Sequence, residues 1–184
     1  MIVWIDGAFG SGKTTLVAEL HRQWPEALVF DAEQIGYVLR EIVEVPTGNF
    51  QDLPMWRKQV AAMTMGLIEE YGRPLLVPMT LVEAGYVEEI FTAVRRREIS
   101  LQHVYLDVPG DELARRIAAR IHAPGDPERE ASIRAWSKAQ IRRCAAARAM
   151  LPPDTLVLDG CRPVAAAVLA VRPPAAEGAR RSPA

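Results

Sequence analysis

Gly7-Ala8-Phe9-Gly10-Ser11-Gly12-Lys13-Thr14 has the spacing GxxxxGK[S/T] and joins an apolar run, Ile2 to Ile5, to a segment whose Leu16, Val17 and Leu20 share a helix face. Glycines permit positive φ and a close approach of backbone to ligand. Several N–H groups can therefore converge at the positive end of a helix dipole, where they suit the phosphates of a di- or triphosphate. Lys13 then reaches the β- and γ-phosphates, the Thr14 hydroxyl takes the Mg²⁺ that bridges them, and Thr15 continues the same phosphate-binding segment. A Gly-rich turn without a ligand is the competing account, but strand, loop, Lys-Thr and helix all fall in register.

Further chemistry is expected where other strands end. Asp31 follows "ALVF" directly and lies at the rim where a γ-phosphate would project. A carboxylate there can deprotonate an acceptor hydroxyl or hold a Mg²⁺ water, and it can also cap the helix that follows; the two roles are compatible. Between Arg115 and Arg148 stand nine Arg or Lys and three Asp or Glu. Arg116 and Arg120, four apart, share a helix face ahead of the break "HAPGDP", as a phosphate-covering lid requires. An arginine run is otherwise a solvated face, the reading that suits Arg115, Arg142, Arg143 and Arg148. In "YVLREIVEVPTGNFQDLPMWRKQ", Arg40, Asp52, Trp56 and Arg57 mix charge with an indole near a proline turn, which suits a pocket for a polar organic acceptor. Against it, Trp56 and Met55 fit a core, and Asp52 fits a helix cap.

The elements that must position these residues alternate along the chain. Strands are predicted near 2–6, 27–30, 74–79, 101–107 and 155–159, and helices near 13–23, 32–44, 53–71, 84–97, 110–121, 128–150 and 163–171. Such alternation predicts an α/β fold, a parallel sheet with helices on both faces whose ligands bind beyond the carboxyl ends of the strands. Those ends carry Asp6, Asp31, Met79 with Thr80, Asp107, and Asp159 with Gly160.

The 184 residues fit one domain, taken as 1–171, with an acceptor region about 32–71 and a lid about 120–134. The Pro-, Ala- and Arg-rich stretch 172–184 is expected to be disordered. A net charge of −1 provides no global basic field to draw nucleic acid. Cys144 and Cys161 lack the spacing of a metal knuckle or redox pair and read as free thiols. With no leader pattern and no apolar run of transmembrane length, the expectation is a cytoplasmic protein. The terminal "ARRSPA" has too few charges to anchor it stably to a membrane.

These residues together resemble the P-loop small-molecule and nucleotide kinases over nearly the whole ordered chain. That resemblance implies the three-layer α/β/α P-loop NTPase fold, with a five-stranded parallel sheet in the order 2-3-1-4-5, a small helical acceptor-binding insertion and a short lid. "RRIAARIH" is similar to the start of the adenylate-kinase lid, which implies that Arg116 stacks on adenine and Arg120 binds phosphate. "LDGCRPVAAAV" resembles the adenine-binding turn of those kinases and implies that Gly160, Arg162 and Pro163 face the base. Both imply ATP. "IVWIDGAFGSGKTT", "QDLPMWR" and "LLVPMTLV", taken together, are similar to the tunicamycin-resistance protein family, whose members are ATP-binding proteins thought to act on, or bind, that nucleoside antibiotic. One departure concerns the metal: nucleotide kinases commonly end the third strand with an aspartate, and here Pro78, Met79 and Thr80 stand instead. Mg²⁺ is then left to Thr14, with Asp31 acting through water, while Thr80 either meets the acceptor or γ-phosphate or is satisfied by backbone.

Three functions are compatible with this reading. An ATP-dependent phosphotransferase would use Lys13, Asp31, Arg116 and Arg120 to phosphorylate a hydroxyl of a small molecule, possession of which by tunicamycin would make the chain a resistance enzyme. A nucleotide-gated binder would sequester the drug without turnover. A housekeeping kinase would act on a nucleotide or metabolite.

Overall fold

The computed structural model describes residues 1–121 and 123–171. Five strands, β1 (Ile2–Gly7), β2 (Leu28–Val29), β3 (Leu75–Pro78), β4 (Leu101–Asp107) and β5 (Leu156–Asp159), pair in parallel in the order β2-β3-β1-β4-β5, the order the resemblance implies. Every residue of β1 is buried, as expected of a central parallel strand covered on both faces. Because β3 lies on one side of β1 and β4 on the other, the chain leaving β1 emerges where the connections diverge to opposite sides of the sheet. This is the switch point at which doubly wound sheets bind ligands.

The strands are connected through α1 (Lys13–Gln23), α2 (Glu33–Ile42), α3 (Pro54–Tyr71), α4 (Ala84–Arg95), α5 (Gly110–Ala119), α6 (Pro127–Arg148) and α7 (Val164–Ala170). Alternate β1 side chains serve opposite faces. Ile2 and Trp4 pack with Trp56, Val60, Ile90 and Phe91 of α3 and α4, whereas Val3 and Ile5 pack with Leu16, Val17 and Leu20 of α1 and Val168 of α7. A smaller cluster of Ala8, Val82, Val108, Leu113, Cys144 and Ala147 fastens the C-terminal end of α6 beneath the loop after β1. No helix among the described residues is long and apolar enough to cross a membrane.

The boundaries differ from the sequence reading where capping decides them. The helix predicted over 110–121 stops at Ala119, and Arg120 is extended, with φ −81° and ψ 141°. The next helix starts at Pro127 because Asp126 accepts a hydrogen bond from the Arg129 N–H at 2.9 Å, with proline in the first turn. A 3₁₀ turn at Phe50–Asp52, absent from the prediction, forms where the Asn49 side chain accepts from the Gln51 N–H. The helix expected to reach 97 ends at Arg95, and Glu98 takes a left-handed φ of 56°. The 172–184 tail and His122 lie outside the described residues.

Trp56, offered from sequence as an acceptor contact, is a core residue. It has no exposed surface, packs on Phe50 at 5.5 Å between ring centroids, and donates its indole N–H to the Ala32 carbonyl at 3.2 Å. That bond ties α3 to the start of α2, just past the end of β2. Trp56→Ala is expected to lower unfolding free energy by about 3–5 kcal/mol through the lost burial and the cavity left behind, read as a fall in the urea midpoint.

Candidate functional site

The loop after β1 is shaped by hydrogen bonds at its first residue. Asp6, 1% exposed, accepts the Gly7 N–H at 2.6 Å and the Leu81 N–H at 3.1 Å through one carboxylate oxygen, Oδ1. Thr80 donates its hydroxyl to the Gly7 carbonyl at 2.8 Å, and the buried Gln51 amide donates to the Thr80 carbonyl at 2.7 Å. Gly7 has φ +147°, and a Cβ there would stand 2.8 Å from Ser11 Oγ and 2.9 Å from the Leu106 carbonyl. No side chain fits at that position. Gly12, at φ +102°, turns the chain into α1, whose leading N–H groups have no intrahelical acceptors and face the loop mouth.

Lys13 folds back over this mouth and donates Nζ to the Gly7 carbonyl at 2.8 Å and the Ala8 carbonyl at 3.0 Å. Burial lowers its pKa, while the neighbouring negative charges, Asp6 foremost, act in the opposite sense. Glu33 at the start of α2 acts weakly to raise it and Arg120, just past α5, weakly to lower it. Thr14 and Thr15 are exposed beside it.

Arg116 lies against the loop. Its Nη1 donates to the Ser11 carbonyl at 3.3 Å, its Nη2 donates to the Gly160 carbonyl at 3.1 Å, and Glu112 holds its Nε at 2.6 Å. One guanidinium thus bridges the phosphate loop and the turn after β5. Gly160 itself donates its N–H to the Asp107 carbonyl at 2.8 Å, and a Cβ would meet Val108 Cγ2 at 2.5 Å, so glycine lets the turn lie close to β4. Arg162 and Pro163, on the same turn, are exposed, and Arg162 Nε is 3.7 Å from Asp159. Arg120 is exposed, and its carbonyl accepts from Arg134 Nη2 at 3.1 Å, which links the end of α5 to α6.

The acceptor-side residues are distributed less simply. Asp31 caps the start of α2 by accepting the Glu33 N–H at 3.0 Å through Oδ1, while Oδ2 has only a 3.4 Å contact from exposed Gln34. Oδ2 is therefore the less engaged of its two oxygens, in a half-buried side chain at the start of α2. Arg40 is turned to the Gly48 carbonyl at 2.7 Å and lies over the Phe50 ring, so it braces the 43–49 loop. Asp52 does not cap α3: it accepts from Asn49 Nδ2 at 3.1 Å and from the Tyr86 hydroxyl at 3.0 Å. Arg57 stacks 4.3 Å over the Tyr86 ring, pairs with Glu89 and donates to the Gln51 carbonyl at 2.7 Å. The motif "QDLPMWR" therefore forms a brace between the 3₁₀ turn and α4. Thr80, 2% exposed, is satisfied by backbone and shapes the loop from behind.

Two residues, His103 and Trp136, escaped the sequence reading, and Asp6 entered it only as a strand end. Asp6 carried a signal, as the strand-end carboxylate directly before the loop. His103 did not, because a histidine inside an apolar strand has no distinguishing pattern. Trp136 of α6, half exposed, meets Phe9 of the loop edge-on at 4.8 Å, but the helix around it is polar on all sides and hides the residue from periodicity. Among the described residues no group of three His, Cys, Asp or Glu could hold a metal ion. A divalent cation here would depend chiefly on nucleotide phosphates with Thr14, a donor set that suits Mg²⁺.

The AAA domain family matches residues 2–146, most of the chain. The chain belongs to this family. Among solved structures, this AAA-domain protein is similar to the tunicamycin resistance protein of Deinococcus radiodurans, with 20% identity over 92% of this chain and 93% of that one and a TM-score of 0.66. It is similar to a sugar kinase from Janibacter sp. HTCC2649, with 20% identity, 92% and 90% of the two chains covered and a TM-score of 0.60. A gluconokinase from Sinorhizobium meliloti 1021 follows the same fold at 16% identity, over 91% and 86% of the chains, with a TM-score of 0.61. At such identities the likeness establishes the P-loop kinase fold. No curated protein sequence matches significantly.

In this AAA-domain protein the two cysteines differ sharply. Cys144, 3% exposed behind the loop, has its thiol pushed up to about 11, chiefly by burial, whereas Cys161 is exposed on the Gly160 turn. In maleimide labelling at pH 8, Cys161 is expected to react at least about 100-fold faster than Cys144, and ATP should slow Cys161 specifically if that turn receives the base. Peptide mass mapping reads both.

Proposed function

We propose that this protein is an ATP-dependent phosphotransferase acting on a hydroxyl of a small molecule, the acceptor being a nucleoside antibiotic of the tunicamycin type. The observation that carries this reading is Lys13 folded over the mouth of the glycine-rich loop onto the Gly7 and Ala8 carbonyls, with Arg116 bridging that loop to the Gly160 turn. Donor and acceptor would meet at the ammonium.

Each residue then has a defined task. The amides of Gly10 to Thr15 and Lys13 hold the β- and γ-phosphates, while Gly160, Arg162 and Pro163 with Arg116 receive adenine. Thr14 is the residue that would hold Mg²⁺, with Asp31 reaching it through water. The cation supplies neutralising charge on the phosphates. Asp31 Oδ2 orients the acceptor hydroxyl and takes its proton. The acceptor oxygen forms the new bond to the γ-phosphorus as the bond to the bridging oxygen breaks and ADP leaves with that electron pair. Lys13, Arg116 and Arg120 stabilise the charge on the transferring group, and positioning with electrostatics accounts for most of such a rate enhancement. The aromatic edge formed by Phe9 and half-exposed Trp136 gives a ring-bearing acceptor a surface beside the loop. Phosphorylation adds roughly two negative charges, enough to spoil a drug's fit to its target.

The absence of an acidic residue after β3 favours the sequestering alternative, since Thr80 is engaged by Gly7. A single-turnover assay with γ-labelled ATP and tunicamycin separates the two: label on the drug supports transfer, and tight binding of both ligands with no label on the drug supports sequestration. Label that moves only to an ordinary nucleotide or metabolite acceptor would point to a housekeeping kinase. Lys13→Ala is expected to weaken ATP binding about 100-fold. Asp31→Asn should leave ATP affinity within about threefold and slow transfer by roughly 10²- to 10⁴-fold, as removal of a general base does.

A further inference from the structure

Two buried polar atoms behind the phosphate loop face each other. Asp6 Oδ2 and His103 Nε2 are 3.7 Å apart, in residues each 1% exposed, and neither atom has a hydrogen-bond partner among the described residues. On the far side of the ring, His103 Nδ1 is 2.8 Å from the Thr155 hydroxyl. The Phe91 ring packs edge-on against the imidazole at 5.0 Å and against Trp4 at 5.3 Å, which holds the ring plane.

Donor chemistry orders this row. A carboxylate only accepts, so at 3.7 Å the approach of Nε2 to Asp6 Oδ2 is attractive when that nitrogen carries the proton and repulsive when it presents a lone pair. A neutral imidazole protonated at Nε2 accepts at Nδ1, which makes the Thr155 hydroxyl the donor there. The row then runs in one direction, by a hydrogen bond from Thr155 just ahead of β5 to His103 of β4, and by a longer, 3.7 Å electrostatic approach of Nε2–H to the Asp6 carboxylate of β1. Thr155 opens the strand whose far end carries the Gly160 turn, so the row crosses the sheet between the strands bearing the two halves of the nucleotide site.

We propose that His103 is a positioning residue for the phosphate loop: its Nε2–H fixes the Asp6 carboxylate, which in turn sets the Gly7 backbone and hence the phosphate-binding amides. A histidine that merely filled the core would act on stability and leave nucleotide discrimination untouched. The proposal rests on the ATP-binding reading of the loop, and loss of that reading would be separately visible as a wild-type chain that binds no ATP.

The test combines a spectroscopic and a binding readout. Long-range ¹H–¹⁵N correlation spectra of the full chain, with the His103 ring assigned from its loss in His103→Gln, should show a proton on Nε2; a ring protonated at Nδ1 alone overturns the proposal. His103→Phe keeps the aromatic packing and removes the donor. It is expected to lower ATP affinity roughly tenfold while leaving adenosine affinity within about threefold, because only the phosphates touch the loop. His103→Gln, whose amide N–H can take the place of Nε2–H, should restore ATP affinity to within about threefold of wild type. Equal loss of ATP and adenosine, unchanged ATP binding in His103→Phe, or no recovery in His103→Gln would each overturn it. Should His103→Phe fail to fold, Thr155→Val tests the same row from its outer end: a shifted His103 Nδ1 resonance with weakened ATP binding is expected, and unchanged ATP binding despite the shifted resonance would overturn the proposal.

Discussion

Everything in the site depends on the backbone conformation of one residue, Gly7, where the chain leaves β1. Its N–H is held by Asp6, and its carbonyl receives both the Thr80 hydroxyl and the Lys13 ammonium. A backbone free to rotate there would scatter the amides that follow, and an anion gains from converging N–H groups only if they converge before it arrives. The constraint comes from three directions: β1 itself, the segment after β3 and the first turn of α1. It is buried, so water does not compete for the bonds, and burying these polar groups is tolerable because they satisfy one another.

The same network reaches outward toward the acceptor side. Gln51 donates to the carbonyl of Thr80, whose hydroxyl holds Gly7, so the 3₁₀ turn and the phosphate loop share a strand end. Arg57, Tyr86, Asp52 and Asn49 then fasten that turn to α4. The charged motif between α2 and α3 is thus engaged in holding the 3₁₀ turn against α4 rather than left free. Asp31, at the start of α2, has one oxygen only loosely engaged.

On the opposite side, α6 carries many arginines, yet their individual ion pairs do not place it. Arg148 meets Asp107 at 2.6 Å and Arg143 meets Glu83 at 2.7 Å, both half exposed, and such pairs contribute little, about 0–1 kcal/mol each. What seats the helix is the burial of Cys144 and Ala147 against Ala8, Val82, Val108 and Leu113. The arginines then act as charges on a helix held by apolar contact, and Arg116 of α5 is the one drawn against the loop carbonyls.

The amino-acid sequence by itself determined the alternation of strands and helices and the glycine-rich loop between β1 and α1, because these depend on local periodicity, glycine geometry and short spacings, whereas the contact of Arg116 with the Gly160 turn came only with the sheet. It also placed Asp31 correctly at both a strand end and a helix start, since capping is decided within a few residues. Only the tertiary structure decided that Trp56 is core, that Thr80 supports the loop from behind, and that Asp6, His103 and Thr155 form one buried row. A side chain's burial and its hydrogen-bond partners depend on which strands become neighbours, and residues 6, 103 and 155 are brought together by sheet order, a property that no window along the chain contains.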